Sequence, residues 1–203
     1  MTAKKESKAV GRPRAFDMDR AVETAMKLFH ARGYDAVGVA EIGAELGIRP
    51  PSFYAAFGSK AGLLKQALER YAASDANIFA RALEQGGDVL AVIERTFANA
   101  ARLYPEREGV AGCLVLDGTR NSSDPEGRLL GAAARRASFE ALRDYIATEY
   151  PERATELAQM ATIGLSGMSA TARDGADRST LEAFAANFSR AFRRELEDRP
   201  GAS

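Results

Sequence analysis

The stretch 39–57 places the tightest limits on how this chain can fold. Apolar residues recur three and four positions apart in 39–46 and again in 50–57, which is the spacing of a helix face. Gly47 lies between the two segments and suits a tight turn. Pro51 is tolerated in a first helical turn, because the amides there have no helical partner. The stretch therefore predicts two short helices joined by a glycine turn.

The rest of the chain also follows a helical pattern, without the alternation that strands show. Asp17 is expected to cap a first helix that ends before Gly33, and Ser59 to cap a fourth helix. These patterns predict an all-α protein. The helices expected after Tyr71 cover about 88–104, 124–150, 152–173 and 178–196, with a short element around 106–116.

Composition excludes several classes of protein. The chain has 203 residues, of which 46% are hydrophobic, and this is enough for a sizeable core. It contains no run of about 18 apolar residues that could span a membrane, and its charged N-terminus has no apolar signal segment. The single cysteine, Cys113, excludes an internal disulfide. Together these features favour a cytoplasmic protein.

Charge is divided unevenly along a chain whose formal net charge is zero. Residues 1–70 hold 12 Lys+Arg against 8 Asp+Glu, whereas residues 71–203 hold 16 against 20. A basic head on an acidic body suits contact with nucleic-acid phosphates. A disordered solubilising tail over 1–11 is the alternative. The N-terminal basic arm contains Lys4, Lys5, Lys8, Arg12 and Arg14.

The two short helices also meet the needs of a DNA-reading helix-turn-helix, whose second helix enters the major groove. Arg49 is the best candidate for reading a base, since a guanidinium pairs bidentately with guanine, although it could instead clamp the DNA backbone. Tyr54 could contact DNA or close the core of the motif. The residues expected in that core are Ile42, Leu46, Ile48, Phe53 and Phe57, with Leu28 and Phe29 beneath them.

Four groups of residues form a specific combination over about residues 11–72. They are Gly11-Arg12-Pro13-Arg14, Ala25-x-x-Leu28-Phe29-x-x-x-Gly33-Tyr34, Ile42-x-x-x-Leu46-Gly47-Ile48 and Phe53-Tyr54-x-x-Phe57-Gly58-Ser59-Lys60-x-x-Leu63-Leu64. In this order they resemble the N-terminal domain of TetR/AcrR-type transcriptional regulators. The resemblance implies an N-terminal three-helix helix-turn-helix DNA-binding domain followed by a helical ligand-binding and dimerisation domain. It also implies a homodimer whose repression is relieved by a small molecule.

The resemblance assigns DNA contacts to individual positions. Lys60 would meet a phosphate, and the arm would reach flanking phosphates or the minor groove. The chain departs from the family at Gly38, where a hydroxyl residue often caps the second helix, and at Ala55 and Ala56, which donate no hydrogen bond to a base. The expected DNA-binding residues are Arg12, Arg14, Gly38, Arg49, Pro50, Ser52, Phe53, Tyr54, Ala55 and Lys60.

The body is expected to hold a small apolar effector between its helices. The last two helices could pair with those of a second copy, which would demand a near-palindromic operator in double-stranded DNA. The expected domains are a flexible basic arm at 1–14, the helix-turn-helix domain at 15–60, the effector-binding and dimerisation domain at 61–197 and a disordered tail at 198–203. The candidate effector residues, each of which could instead be plain core, are Phe79, Ile93, Phe97, Cys113, Leu116, Met160 and Met168.

Enzymatic chemistry finds little support in the sequence. His30 is the only histidine, and there is neither a P-loop nor a dinucleotide fingerprint, so we expect no catalytic residues, metal or cofactor. Cys113 could sense oxidants or electrophiles if its thiolate were stabilised. The predicted function is a homodimeric repressor released by a small molecule. The alternatives are a thiol-sensing repressor that acts through Cys113 and a helical enzyme or partner-binding scaffold.

Overall fold

The computed structural model describes residues 17–107 and 109–197. These residues form ten α-helices and a 3₁₀ helix at Pro151–Arg153, and their β-structure is limited to one isolated bridge, between Arg107 and Val110. The all-α prediction is confirmed. The arm expected at 1–14 and the tail expected at 198–203 lie outside the described residues. The α-helices are α1 (Met18–Arg32), α2 (Val39–Leu46), α3 (Pro50–Phe57), α4 (Lys60–Ala72), α5 (Ile78–Leu83), α6 (Val89–Leu103), α7 (Leu114–Asp117), α8 (Pro125–Ile146), α9 (Ala154–Arg173) and α10 (Arg178–Glu197).

Short-range signals set the ends of the first four helices. The Asp17 side chain accepts a hydrogen bond from the backbone N–H of Arg20, and Ser59 does the same for Gly62 at 2.9 Å. Gly33 follows α1 with a φ of 80°, which favours glycine. The bounds of α2 and α3 agree with those predicted from the sequence. We call residues 17–59, which contain α1 to α3, the head, and the remainder the body.

The body differs from the sequence expectation at α5, at the end of α8 and at the short element expected around 106–116, where the helix α7 covers Leu114–Asp117. Helix α5 was not predicted, because six residues are too few to show a helical period. Asn77 caps α5, since its side chain accepts a hydrogen bond from the Ala80 N–H at 3.1 Å. Helix α8 ends at Ile146 rather than near Tyr150, and residues 147–150 connect it to the 3₁₀ helix.

The core of the body is formed where α6, α9 and α10 meet. The rings of Phe97 and Phe188 stack with their centroids 3.7 Å apart. Gly164 lies against both rings, and a Cβ there would come within 3.0 Å of them. The small residues of α9 lie on two different sides of the helix. Gly164 and the buried Ser169 face the interior, whereas Gly167 is exposed.

Among the described residues, no helix is both long and apolar enough to cross a membrane.

Candidate nucleic-acid interface and ligand cavity

The turn between α2 and α3 depends on two glycines. Gly47 adopts the left-handed conformation, with φ 65° and ψ 30°. Gly43 allows the chain to fold back closely, because a Cβ at this position would lie 2.9 Å from the carbonyl oxygen of Ile48. The Ile48 N–H donates to the Gly43 carbonyl oxygen across 2.9 Å, which closes the turn. This geometry is that of a helix-turn-helix.

One side of α3 is exposed and the other is buried. Tyr54 is 51% exposed, and its ring stands edge-on to Phe53 with centroids 5.4 Å apart. Arg49 is exposed at the N-cap of α3 and forms no ion pair with any described residue. We call this exposed surface the α3 face. It consists of Arg49, Pro50, Ser52, Tyr54 and Ala55.

Phe53 has to be removed from the expected DNA-binding residues. Its side chain is 0% exposed and packs against Phe57, one helical turn later, with centroids 5.2 Å apart. A ring on the core side of α3 cannot reach a base edge. Gly38 is exposed and caps α2 without a side-chain hydrogen bond. Arg12 and Arg14 lie outside the described residues.

Lys60 faces the contact between the head and the body. Its Nζ lies 4.0 Å from the centroid of the Tyr34 ring, a cation–π geometry. Burial lowers the pKa of Lys60, while the carboxylates of Asp35 and Asp124 act in the opposite direction. A role of Lys60 in binding phosphate stays a prediction.

Hydrogen bonds tie the loop after α1 to residues 118–124 of the body. The Tyr34 hydroxyl donates to Oδ2 of Asp124 at 2.6 Å, and the Tyr34 N–H donates to the carbonyl oxygen of Gly118 at 2.8 Å. The Asp35 carboxylate accepts from the Ser122 hydroxyl and from the backbone N–H of Ser123. We call this set of contacts the head–body latch.

Removing the Tyr34 hydroxyl is expected to weaken the head–body latch. A hydrogen bond to a charged group stabilises a protein by about 1.5–3 kcal/mol, so Tyr34→Phe should lower the free energy of unfolding by about that amount. Urea denaturation at fixed protein concentration measures the change. The control is Tyr54→Phe, because Tyr54 is exposed and its hydroxyl has no partner among the described residues. Equal stability of the two variants would contradict the prediction.

His30 forms a second junction between α1 and the body. Its Nε2 lies 3.1 Å from the carbonyl oxygen of Gly112, and its own carbonyl oxygen accepts from Nη2 of Arg173 at 2.9 Å. The His30 ring stands edge-on to Tyr71, with centroids 5.4 Å apart. Burial lowers the pKa of His30 to about 4. The imidazole is therefore neutral at neutral pH and donates its Nε2–H to Gly112.

A cavity of about 110 Å³ lies in the body between α4, α5, α6, α8 and α9, with α7 along one wall. Three of the expected effector residues, Phe79, Cys113 and Leu116, line it. The other four, Ile93, Phe97, Met160 and Met168, are not among its lining residues. Phe97 is instead stacked on Phe188 in the core, and Thr96 is the α6 side chain at the cavity.

Cys113 is buried at the start of α7. Burial raises the pKa of its thiol, although hydrogen bonds with the hydroxyls of Tyr71 and Tyr104 act in the opposite direction. The Cys113 backbone N–H donates to the Ser169 hydroxyl at 2.8 Å, which fixes the start of α7 against α9. The thiolate is the reactive form of cysteine, so this environment works against thiol sensing.

The fold and the α3 face define a helix-turn-helix regulatory protein, and comparisons with known proteins identify its family. The family model described as "Bacterial regulatory proteins, tetR family" matches residues 21–67. The HTH-type transcriptional repressor BdcR of Escherichia coli (strain K12) is 40% identical over 198 residues, which cover 98% of this chain and 100% of BdcR. The HTH-type transcriptional repressor ComR of the same strain is 29% identical over 188 residues, covering 86% of this chain and 88% of ComR. This chain belongs to the TetR family of bacterial regulatory proteins.

Solved structures agree with this assignment. The fold is similar to that of the TetR family transcriptional regulator CifR, solved as a cysteine mutant in complex with 26-bp double-strand operator DNA. The TM-score is 0.78 at 30% sequence identity, and the match covers 89% of this chain and 99% of CifR.

Proposed function

We propose that this protein is a homodimeric transcriptional repressor that binds operator DNA through the α3 face and is released by a small molecule in the body cavity. The observation that carries the proposal is an exposed Arg49 at the N-terminus of the second helix of a helix-turn-helix. Residues at this end of the second helix are the ones that contact base edges. The repressor names of BdcR and ComR, and the operator bound to CifR, support the same function.

An exposed apolar strip on α9, together with an exposed phenylalanine on α10, supports the homodimer. Ile163 is 73% exposed on α9, and Gly167 and Ala170 continue the same face of that helix. Phe184 of α10 is 42% exposed. Exposed apolar surfaces of this kind mark sites of association. Pairing of this strip with a second copy would present two heads to a near-palindromic operator.

The segment that contains α7 connects the cavity to the head. Cys113, Val115 and Leu116 line the cavity. Gly112, directly before Cys113, accepts a hydrogen bond from His30, and Gly118, two residues after Leu116, accepts one from Tyr34. A ligand that displaces α7 therefore changes contacts of the head with the body. Release from DNA would follow as a shift in population between head orientations that fit the operator and those that do not.

Arg49→Ala tests the assignment of the α3 face. A good bidentate contact to a base contributes about 1–3 kcal/mol, which corresponds to a loss of about 5- to 150-fold in affinity. The measurement is fluorescence anisotropy with a duplex from upstream of the protein's own gene. Arg136→Ala is the matched control, because Arg136 is exposed on α8 in the body. Equal affinities of the two variants would remove Arg49 from the proposed interface.

Two other functions receive less support. Family membership favours a regulator over a helical enzyme or scaffold. The raised pKa of Cys113 disfavours the thiol-sensing repressor. A cytoplasmic location stays a prediction.

A further inference from the structure

Among the described residues, one charged side chain borders the cavity, and this side chain is cationic. Arg135 of α8 lies at the wall, and the described lining includes neither an aspartate nor a glutamate. The remaining wall is mainly apolar, with Phe79, Phe139, Leu142 and Leu165 prominent in it. A site of this composition suits a ligand with an apolar part and one anionic group.

The Arg135 guanidinium has no carboxylate partner within 4.0 Å in the described part of the chain. Asp117 is the acid that acts on it electrostatically, but this carboxylate is already used by other groups. Arg120 lies 3.1 Å from one Asp117 oxygen, and Arg173 lies 3.3 Å from the other. Arg135 donates to Oγ1 of Thr119 at 3.2 Å, which satisfies one of the five guanidinium donors.

The position of Arg135 is set by close packing of α8 on Thr119. A Cβ at Gly131, one helical turn before Arg135, would lie 1.7 Å from the Thr119 hydroxyl oxygen. Thr119 is itself buried, so its hydroxyl is held where it meets the guanidinium. Burial, which removes part of the charge from water, lowers the pKa of Arg135, as does the nearby Arg120 guanidinium, while the Asp117 carboxylate acts in the opposite direction. A ligand anion would offset this desolvation cost.

The size of the cavity limits the rest of the ligand. An engineered cavity of about 150 Å³ in another protein holds one benzene molecule. The cavity here, at about 110 Å³, therefore accepts an apolar group of about one ring or less. With no second cation among the described lining residues, a singly charged carboxylate fits better than a doubly charged phosphate. The fork of the guanidinium matches the two oxygens of a carboxylate.

We propose that the cavity binds a small carboxylic acid as its anion, with the carboxylate on Arg135 and the apolar part against Phe79, Phe139 and Leu142. The inference rests on the proposed function only in treating this cavity as the effector site.

Calorimetry with matched pairs of probes tests the inference. Each pair contains a carboxylate and the neutral amide of the same shape: benzoate with benzamide, and hexanoate with hexanamide. The unmodified protein should bind at least one carboxylate about tenfold or more tightly than its amide, as expected for a charge-assisted bidentate contact. Arg135→Gln should abolish this preference and leave amide binding unchanged, while Arg135→Lys should retain part of it. Arg136→Gln, which alters the exposed neighbour, should behave like the unmodified protein.

Absence of a carboxylate preference in both pairs would overturn the inference, and so would an equal loss in Arg136→Gln and Arg135→Gln. Thermal unfolding of each variant without ligand shows whether it is folded. Release of a DNA duplex is measured separately. Carboxylate binding that depends on Arg135 but leaves the affinity for DNA unchanged would support the carboxylate site and contradict the release of DNA by an effector.

Discussion

Replacing Phe97 with alanine is expected to lower the free energy of unfolding by about 3–5 kcal/mol, the usual cost of truncating a buried phenylalanine. Phe97 is 0% exposed and stacks on Phe188, with Gly164 packed against both rings. The truncation leaves a cavity at the point where α6, α9 and α10 meet.

Denaturant unfolding monitored by circular dichroism, at one fixed protein concentration, measures the change. Leu129→Ala is the control, because Leu129 is 71% exposed on α8 and its loss creates no cavity. A stability loss for Phe97→Ala that is no greater than that of the control would show that the stacked rings are not a core contact.

His30 alone is expected to lower the free energy of unfolding by up to about 3 kcal/mol between pH 6.5 and pH 4. One pKa unit corresponds to about 1.4 kcal/mol. The pKa of His30 is about 4 in the folded protein, against an ordinary value of 6.5. Above pH 6.5 both the folded and the unfolded states carry a neutral imidazole. As the pH falls toward 4, the unfolded state takes up a proton that the folded state does not bind, which favours unfolding. Below pH 4 both states bind it, and the contribution of His30 stops changing.

His30→Gln isolates this effect. The glutamine amide can still donate a hydrogen bond to Gly112, but it does not titrate. The free energy of unfolding, measured from pH 4 to pH 7.5, should fall more steeply with acidification in the unmodified protein than in the variant. The lowered pKa values of Asp35 and Asp124 contribute alike to both proteins, so they do not alter the comparison. Parallel curves would contradict the burial assigned to His30.

The helices of the head could be predicted from the sequence because the positions of their ends depend on nearby residues. Asp17 and Ser59 cap through their own side chains within three residues, and Gly47 forms the turn by its own conformation. The division of α3 into a core side and an exposed side was predictable for the same reason, except that Phe53 was also assigned to DNA. Helical periodicity places Phe53 on the side of Phe57, and that signal alone was enough to exclude it.

The body was less predictable because its features depend on residues far apart in the sequence. The head–body latch joins Tyr34 to Asp124, 90 positions later, and no local pattern indicates such a pairing. From the sequence alone, the expected effector residues that line the cavity could not be distinguished from those in the core, because both sets are apolar. Arg135 was missed because an arginine on a long helix is ordinarily a solvent-exposed residue.

Selection of bound sequences from a pool of randomised DNA duplexes tests the central claim most directly, because it does not require an operator sequence to be chosen in advance. The purified protein should enrich one near-palindromic site, and Arg49→Ala should bind that site about 5- to 150-fold more weakly while Arg136→Ala binds it normally. Enrichment of no particular sequence, together with weak binding that Arg49→Ala leaves unchanged, would contradict the assignment of this protein as a sequence-specific repressor.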